Sequence, residues 1–392
     1  MIKIDRYSSL GRTKKMMNNL PTTTNSQSPG LYIHVPFCAG KCPYCDFYST
    51  DDSTLIRPWI KALEKETHFY KDTLNDFDTL YLGGGTPSLL SLNDLEKLIN
   101  NIHKNFSFTP DSEITIEANP GDLSPEKLKH FRALGFNRIS LGAQSFDDDV
   151  LRFLNRRHTA KQAEKAVEDI RSAEFENLSI DLMYAVPGQD KAGWIKTLEK
   201  ALFFSPEHFS CYQLTVKENT PFFERKAKGE LEFNLGEEES FLLTSDFLEE
   251  NGYIHYEVSN FAKSENLFSV HNRKYWQHAP YLGLGPSAHS FSDDMRWWNF
   301  SSASKYIDSL NKGDKPVEEK EIIGEKEKAL EELFLGFRTK QGIDLDTLKE
   351  YKKVEIVISR LIESGLIEMQ GDRAVPTKKG FLVADRIPLM FD

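Results

Sequence analysis

Six short apolar segments alternate with longer amphipathic segments between residues 31 and 214, and this alternation constrains the fold more than any other feature. The short segments have the length and composition of buried strands, while the longer ones repeat apolar residues at the three- and four-residue spacing of helices. The predicted strands are 31–35, 79–82, 113–118, 138–142, 178–183 and 208–214, and the predicted helices between them are 55–70, 92–105, 125–134, 161–173 and 194–203.

Six strand–helix units in series predict a parallel sheet, because parallel neighbours need crossover connections, which are right-handed. We therefore expect an α/β fold built on a curved, partial (β/α)6 barrel. Such barrels place their functional side chains where the strands end. Polar residues at or just after the end of a predicted strand are consequently candidates for a site.

The chain divides into four segments by composition and periodicity. Residues 1–29 are polar and include runs of Pro, Thr and Ser, so we expect a disordered leader. Residues 30–236 form the predicted barrel, and residues 237–319 form an aromatic- and Gly-rich α+β linker region. Residues 320–392 predict a winged-helix-like C-terminal domain, with helices at 325–337, 345–350 and 354–364 and strands at 366–369 and 374–376.

A net charge of -11 argues against general binding of nucleic acid, because phosphate contacts need surfaces rich in Lys and Arg. Basic and acidic residues nearly balance in the winged-helix-like segment, so we expect it to pack against the barrel rather than read DNA. No apolar run approaches the roughly 18–20 residues that span a bilayer, and the first residues lack the apolar stretch of a signal peptide. We therefore expect a cytoplasmic protein, and no motif indicates its oligomeric state.

Three of the four cysteines, Cys38, Cys42 and Cys45, lie within eight residues after the first predicted strand. Their C-x3-C-x2-C spacing suits three corners of an iron–sulfur cube, whereas cubes held only by protein usually take four cysteines. One iron is then open to a cofactor or substrate. The alternative is a zinc site made by the three thiols and His34, although His34 lies within the strand. Cys211 falls on the sixth predicted strand, where we expect a buried, small apolar side chain.

A glycine-rich turn and four polar residues are associated with the later strands. Gly83-Gly84-Gly85-Thr86-Pro87 follows the second strand, and glycines there let backbone amides approach a ligand. Glu117 ends the third strand, Gln144 follows the fourth, Arg156 comes twelve residues later, and Asp181 lies on the fifth. Each alone is compatible with an ordinary role as a turn, a cap or a solvated group. Together they place polar groups at or near the ends of successive strands, where barrels bind ligands.

The cysteine spacing, the glycine turn and these polar residues resemble the radical S-adenosylmethionine (SAM) superfamily, in its oxygen-independent coproporphyrinogen III oxidase-like branch. The resemblance covers about residues 31–386. It implies a [4Fe–4S] cluster on the three cysteines, with SAM at the open iron, where a reduced cluster cleaves it to methionine and a 5′-deoxyadenosyl radical. Thr86 stands where the family pattern has an acid, and no catalytic residue is assigned. The SAM contacts that the resemblance implies are Tyr32, Tyr44, Gly84, Gly85, Thr86, Glu117, Gln144, Arg156 and Asp181.

Two subfamilies of this branch match the chain, the coproporphyrinogen III oxidases and the HemW heme chaperones. The oxidase motif continues to a fourth cysteine, where this chain has Phe47, and the oxidases have a longer N-terminal region than the short leader here. The segment from His271 to Trp276, His-Asn-Arg-Lys-Tyr-Trp, resembles the chaperone motif H-N-x-x-Y-W, whose histidine is a candidate axial ligand of heme iron. The resemblance thus implies heme as a further cofactor, bound by His271. It also implies a heme-acceptor apoprotein as partner, with peripheral membrane association as a further expectation.

Other interpretations stay open at this point. The main alternative is the oxidase, which decarboxylates a porphyrin precursor, so the sequence leaves open whether the chain is an enzyme. A third interpretation is an iron–sulfur regulator that binds DNA through the winged helix, which the acidic charge disfavours. For His271, the alternative to heme ligation is a surface histidine beside two core aromatic residues.

Overall fold

The computed structural model describes residues 27–74, 76–349 and 351–391, so most of the predicted leader lies outside the described residues. All six predicted strands are present, several of them longer than predicted. They are β1 (Gly30–Val35), β2 (Phe77–Gly84), β3 (Phe108–Ala118), β4 (Arg138–Gln144), β5 (Asn177–Tyr184) and β6 (His208–Gln213).

Helices connect these strands, as the alternation predicts. They are α1 (Ile56–His68), α2 (Leu92–Asn105), α3 (Pro125–Ala133), α4 (Asp148–Phe153), α5 (Ala160–Ser172), α6 (Lys191–Phe203) and α7 (Pro221–Ala227), of which the short α4 and α7 were not predicted. Local sequence sets where they begin. Ser91 accepts a hydrogen bond from the Asp94 amide at the start of α2, and Thr159 and Gln162 form a capping box on α5.

Strands β1 to β6 are parallel and adjacent in chain order. Leu31 lies opposite Leu80 in the first pair, and Ile116 lies opposite Ile139 in a later one. Their carboxyl ends therefore meet at one edge of the sheet, as the six strand–helix units predict. The α/β expectation with a curved parallel sheet is confirmed.

The predicted linker region, residues 237–319, extends the same sheet at both sides instead of forming a separate layer. Its elements are α8 (Glu237–Glu250), β7 (Ile254–Glu257), β8 (Asn260–Ala262), α9 (Val270–Trp276), β9 (Tyr281–Leu284), β10 (His289–Ser292), β11 (Met295–Asn299) and α10 (Ala303–Asn311). β8 pairs antiparallel with β6, and β9 pairs parallel with β1. With β12 (Val317–Ile322), the described residues form a twelve-stranded sheet. Pairing between residues so distant in sequence leaves no local signal.

Side chains alternate along the six parallel strands, because a strand repeats every two residues. One face is apolar, with residues such as Leu31, Ile33, Leu80 and Leu82 in a core shared with the helices. The other face lines the inside of the barrel. It carries Tyr32, His34, Thr79, Tyr81, Glu113, Thr115, Glu117, Arg138, Ser140, Asn177, Ser179, Asp181, His208, Ser210 and Tyr212. The inner face is thus polar and aromatic, whereas a closed barrel is filled with branched apolar residues.

The C-terminal segment has a core of its own and the element order of a winged helix, as predicted. It comprises α11 (Glu325–Gly336), β13 (Ile343–Asp344), α12 (Leu345–Leu348), α13 (Val354–Glu363), β14 (Ile367–Gln370), β15 (Arg373–Pro376) and α14 (Lys378–Leu382). Ion pairs connect this segment to the elements that extend the barrel sheet. Glu331 of α11 pairs with Arg296 of β11, and Lys378 pairs with Glu249 of α8. Among the residues described, no helix has both the length and the apolar content to cross a membrane.

Candidate functional site

The loop between β1 and α1 carries Cys38, Cys42 and Cys45, which are partly exposed and form no disulfide. Backbone hydrogen bonds fix the loop, because the Cys38 amide donates to the Thr50 carbonyl across 3.0 Å and the Thr50 amide donates to the Pro36 carbonyl across 2.7 Å. The Cys45 amide also donates to the Cys42 carbonyl across 3.1 Å. The three thiols therefore lie beyond the carboxyl end of β1, at the edge where the sequence predicts a site.

Two side chains from other parts of the chain donate to these sulfur atoms. Thr86 Oγ1 lies 3.5 Å from the Cys38 sulfur, and Arg156 Nη1 lies 3.7 Å from the Cys42 sulfur. Burial disfavours the charge of Arg156, but Tyr44 and Cys42 outweigh it and raise the pKa of the guanidinium above its usual value. Burial raises the pKa of Cys45 to about 11, so binding of iron, which requires the thiolate, displaces a proton there. Donors beside the sulfurs stabilise the thiolate form that metals bind.

The zinc alternative does not fit the position of His34. The hydroxyl of Tyr32 lies 3.1 Å from its Nδ1, and the Tyr48 carbonyl oxygen lies 2.9 Å from its Nε2, so both ring nitrogens have partners. Within the described part of the chain, no three His, Cys, Asp or Glu side chains are placed to hold a metal ion. A cube places different demands on its ligands, because each thiolate binds a different iron. As a fourth zinc ligand, His34 would have to exchange one of its two hydrogen bonds, while a cube open at one corner needs only the three thiols.

The glycine turn after β2 packs closely against β1. Gly84 has a φ of 106°, and a Cβ on Gly85 would lie 2.7 Å from the Phe37 carbonyl oxygen. The amides already have partners, since Gly84 donates to Glu117 Oε2, Gly85 to the Val35 carbonyl, and Thr86 to the Phe37 carbonyl. A ligand contact through one of these three amides would therefore replace a hydrogen bond within the protein. Contacts of these three residues with SAM through other atoms stay a prediction.

Glu117 stands at the end of β3, beside the glycine turn. Its Oε1 accepts a hydrogen bond from the Tyr81 hydroxyl across 2.9 Å, and its Oε2 accepts one from the Gly84 amide across 3.1 Å. Burial raises the pKa of Glu117 to about 7, and the charge of Asp181 adds to this effect. Each carboxylate oxygen keeps capacity to accept a further hydrogen bond. A ribose hydroxyl is thus a chemically suitable partner.

Gln144 and Arg156 carry buried polar atoms that have no partner. Oε1 of Gln144 and Nε of Arg156 are both unpaired, and Gly142 lies against both side chains. Gln144 also has a φ of 65°, in the left-handed region that side chains rarely adopt, and Ala185 beyond β5 has a φ of 54°. Unpaired buried donors and acceptors with local backbone strain are typical of ligand sites. The residues at this edge therefore fit a bound polar cofactor.

Asp181 lies on the inner face of β5, among serine hydroxyls. Ser140 donates to both of its carboxylate oxygens, across 3.0 and 2.9 Å, and Ser179 donates to Oδ1 across 3.2 Å. Burial raises the pKa of Asp181 above its usual value. The charge of Asp181 also acts on Glu117, so both predicted carboxylates face the same interior.

The two tyrosines with a predicted role in SAM binding lie at different depths. Tyr44 belongs to the cysteine loop and packs on Phe222 of α7, with ring centroids 6.3 Å apart. Burial raises its pKa above the usual value. Tyr32 lies inside the barrel, where its ring stacks on Tyr81 with centroids 6.1 Å apart and its hydroxyl contacts His34. Tyr44 is therefore beside the thiols, while Tyr32 is deeper.

His271 of α9 is buried, with 1% of its surface exposed, so the surface alternative is wrong. Its Nδ1 lies 2.8 Å from Thr79 Oγ1, and its Nε2 lies 2.9 Å from the hydroxyl of Tyr275. The ring stacks on Tyr81, with centroids 4.9 Å apart. Burial lowers the pKa of His271 to about 3, so the imidazole is neutral, the form that binds iron. Heme ligation stays a prediction, and it requires that one of these two hydrogen bonds be exchanged for iron.

Several polar residues of the inner face were not singled out from the sequence. Tyr81, Ser140, Ser179 and His208 contact the predicted site residues or each other. The signal that reveals them is alternation, since each stands two residues from another polar or aromatic side chain within an otherwise apolar strand. Tyr256, which contacts His208, lies on β7, outside the six parallel strands, and gave no such signal.

Comparison with known proteins identifies the family. The radical SAM superfamily model matches residues 32–201, and the model of the HemN C-terminal domain matches residues 323–383. The chain is 34% identical over 368 residues to the heme chaperone HemW of Bacillus subtilis, covering 91% of this chain and 97% of that protein. The chain belongs to the HemW family of radical SAM proteins. The heme chaperone HemW of Lactococcus lactis is also 34% identical, over 91% of this chain and 95% of its own length.

This member of the HemW family also shares its fold with a solved oxidase. The coproporphyrinogen III oxidase HemN of Escherichia coli, a radical SAM enzyme, superposes with a TM-score of 0.80 at 22% identity. The match covers 93% of this chain and 90% of that one. Membership in the radical SAM superfamily implies a [4Fe–4S] cluster and SAM, as the cysteine motif predicted. The predicted superfamily, branch and subfamily are all confirmed.

Proposed function

We propose that this protein is a heme chaperone, which binds heme and delivers it to apoproteins. The observation that carries the proposal is the similarity over almost the whole chain to proteins named as heme chaperones. Phe47 supports it, because this exposed side chain stands where the oxidase motif has its fourth cysteine. The likeness to the oxidase structure concerns the fold and does not favour the oxidase reaction.

Heme binding at His271 requires a bare ring nitrogen. Nε2 is the better candidate, because its partner Tyr275 is on the same short helix, so exchange of this bond for iron requires movement of one side chain and leaves the bond between helix and sheet in place. Nδ1 is tied to Thr79 of β2, so its release requires that helix and sheet separate. Tyr81 and Tyr275 supply flat rings beside the imidazole, which suit an apolar macrocycle.

The cysteine loop and the carboxyl edge of the barrel are proposed to hold the cluster and SAM. Cys38, Cys42 and Cys45 would bind three irons, and the fourth would take the amino and carboxylate groups of SAM. Arg156 stays charged and is positioned to pair with a carboxylate. When bound, the cluster and SAM supply the chemistry of one-electron SAM cleavage, which serves either catalysis or a switch for heme delivery. A heme-acceptor apoprotein, peripheral membrane association and a cytoplasmic location stay predictions.

The decisive experiment is an anaerobic heme titration of the protein reconstituted with its cluster, followed by absorbance. We expect saturable binding of one heme per chain with the spectrum of a histidine ligand, and loss or alteration of that spectrum in His271→Ala. His255→Ala is the matched control, because His255 is equally buried and bonded through both nitrogens, to Ser245 and the Val258 carbonyl. Unchanged affinity and spectrum in His271→Ala would show that the ligand is another residue.

Incubation with coproporphyrinogen III, SAM and a reductant tests the alternative enzyme. Separation of the products by chromatography should show no loss of carboxyl groups while the cluster remains intact. Formation of protoporphyrinogen would make the chain an oxidase despite Phe47. A gel-shift experiment across a range of salt concentrations tests the DNA-binding interpretation in the same way, and we expect no shift.

A further inference from the structure

A chain of hydrogen bonds runs from Asp181 to the start of the helix that carries the predicted heme ligand. Ser179 Oγ donates to Asp181 Oδ1 across 3.2 Å and lies 2.8 Å from His208 Nδ1. His208 Nε2 lies 2.8 Å from the Tyr256 hydroxyl oxygen, and the Ser269 amide donates to that oxygen across 3.3 Å. The chain therefore links β5, β6 and β7 to the N-cap of α9.

The donors of this chain all point toward Asp181. Burial lowers the pKa of His208 well below its usual value, so the ring is neutral and has one N–H. Because Ser179 donates to Asp181, its oxygen accepts from Nδ1 of His208. Nε2 then accepts from the Tyr256 hydroxyl, whose oxygen accepts from the Ser269 amide. A change at the carboxylate thus alters the preferred direction of the bonds between Ser179, His208 and Tyr256, whereas the Ser269 amide can only donate.

Water does not substitute for a broken bond here. His208, Tyr256 and Ser269 are buried, so a lost partner leaves an unpaired group at a cost of about 1–3 kcal/mol. Ser179 is buried as well, but its Oγ also lies 3.3 Å from Ser210 Oγ. The Tyr256 ring is fixed by stacking on Phe268, with centroids 4.1 Å apart. Only its hydroxyl hydrogen is free to reorient.

The far end of the chain lies in the same helical turn as His271. Ser269 caps α9 through its hydroxyl, which accepts from the Asn272 amide across 3.3 Å. Glu113 of β3 accepts from the amides of Val270 and His271, across 3.2 and 3.0 Å. The first turn of α9 is therefore held to the barrel by backbone amides that have no partner within the helix, and the position of the His271 ring depends on them.

We propose that this chain couples the two binding sites, so that a SAM hydroxyl bound at Asp181 loosens the first turn of α9 and favours heme binding at His271. The inference rests on the proposed function. Oδ1 of Asp181 already accepts from Ser140 and Ser179, so a SAM hydroxyl that donates to Oδ1 competes with Ser179. Ser179 then turns its hydrogen toward Nδ1 of His208, and the proton of the neutral ring moves to Nε2. Nε2 donates to the Tyr256 oxygen, which the Ser269 amide must then share. Loss of about one net hydrogen bond corresponds to roughly a fivefold change in affinity, and linkage makes the effect reciprocal.

The test compares heme titrations with and without SAM, on protein whose reconstituted cluster stays oxidised so that SAM is not consumed. Tyr256→Phe removes the hydroxyl and keeps the stacked ring. Tyr253→Phe is the matched control, because this buried tyrosine donates to the Pro206 carbonyl outside the chain. We expect SAM to tighten heme binding about fivefold in the parent protein and in Tyr253→Phe. Tyr256→Phe should bind heme without SAM as tightly as the parent does with it, and SAM should add nothing.

An equal effect of SAM in Tyr256→Phe, or no effect in a parent protein that binds heme, overturns the coupling. If the parent binds no heme, the proposed function fails, and hydrogen exchange of residues 269–276 decides the coupling separately. Faster exchange with SAM in the parent but not in Tyr256→Phe supports it, whereas SAM-independent exchange in both overturns it.

Discussion

The guanidinium of Arg156 donates a hydrogen bond to the thiol sulfur of Cys42 across 3.7 Å. Such donors make a cluster easier to reduce, because they stabilise the extra negative charge of the reduced form. We expect Arg156→Met to lower the reduction potential of the reconstituted cluster by something on the order of 50 mV, as measured by an anaerobic titration followed by electron paramagnetic resonance.

The neighbouring residue supplies the control for this prediction. Arg157 makes an ion pair with Asp122 across 3.1 Å, away from the thiols, so Arg157→Met should leave the potential unchanged. Equal potentials in all three proteins would mean that the hydrogen bond to Cys42 does not act on the cluster.

Removal of single thiols separates the cluster ligands from the fourth cysteine. Cys38→Ala, Cys42→Ala and Cys45→Ala should each abolish or greatly reduce cluster absorbance and bound iron after anaerobic reconstitution. Cys211→Ala should keep both, because Cys211 is buried in the core and contributes only packing. A full cluster in any of the first three variants would refute that ligand.

The parallel strands and the site edge follow from local sequence, since periodicity and the residues at strand ends are local properties. Strand β2 is an example, because its alternate residues Thr79, Tyr81 and Gly83 face the interior of the barrel. The burial of His271 could not be predicted in the same way. Its short helix is placed by Glu113 and Thr79, far away in sequence, and a seven-residue segment has no periodicity that reveals such contacts.

Long-range pairing also explains the main difference between the expected and observed architecture. β9 joins the sheet beside β1 through residues that read only as an aromatic- and Gly-rich segment. Gly283 is required there, because a Cβ would lie 2.1 Å from the carbonyl oxygen of His289. The sequence shows that residue 283 is glycine. It does not show the close contact with His289 that requires a glycine, because this contact forms only when the two segments come together in the fold.

Stability should fall as the pH rises, in part because of Glu257. This buried residue has one carboxylate oxygen without a partner, and burial raises its pKa to about 8 from 4.5. The folded state therefore favours the protonated form, so this contribution is complete below about pH 4.5 and is lost as the pH rises through 8. We expect a loss of about 3 kcal/mol in the free energy of unfolding between about pH 6 and pH 9, measured by anaerobic urea denaturation.

Glu257→Gln mimics the protonated acid and should remove this part of the pH dependence. Its stability should equal that of the parent only near pH 4.5 and below, and should exceed it by a growing margin as the pH rises to 9. Glu265→Gln, at an exposed position, controls for the loss of one negative charge. Parallel stability curves for Glu257→Gln and the parent would contradict the assignment.

Glu331 of α11 connects the C-terminal domain to the strands that flank the barrel. Its carboxylate accepts from both terminal nitrogens of Arg296, across 3.0 and 2.6 Å, and lies 3.1 Å from His278 Nε2. Burial raises the pKa of Glu331, but the hydrogen bonds from His278 and Arg296 outweigh it and hold the pKa at about 2. The carboxylate is therefore ionised and stabilising above about pH 4.5, and the contribution is lost as the pH falls toward 2.

Glu331→Gln should consequently weaken the attachment of the C-terminal domain near neutral pH, because Arg296 loses its less exposed carboxylate partner and keeps the more exposed Glu321. We expect a loss of about 1–3 kcal/mol and faster limited proteolysis within residues 320–340, detected by mass spectrometry of the fragments. Glu332→Gln removes the same charge one residue away, at an exposed position, and the protease should cut this variant at the same rate as the parent. Equal cleavage of the two variants would mean that apolar packing alone holds the domain, since the ion pair would then contribute nothing measurable.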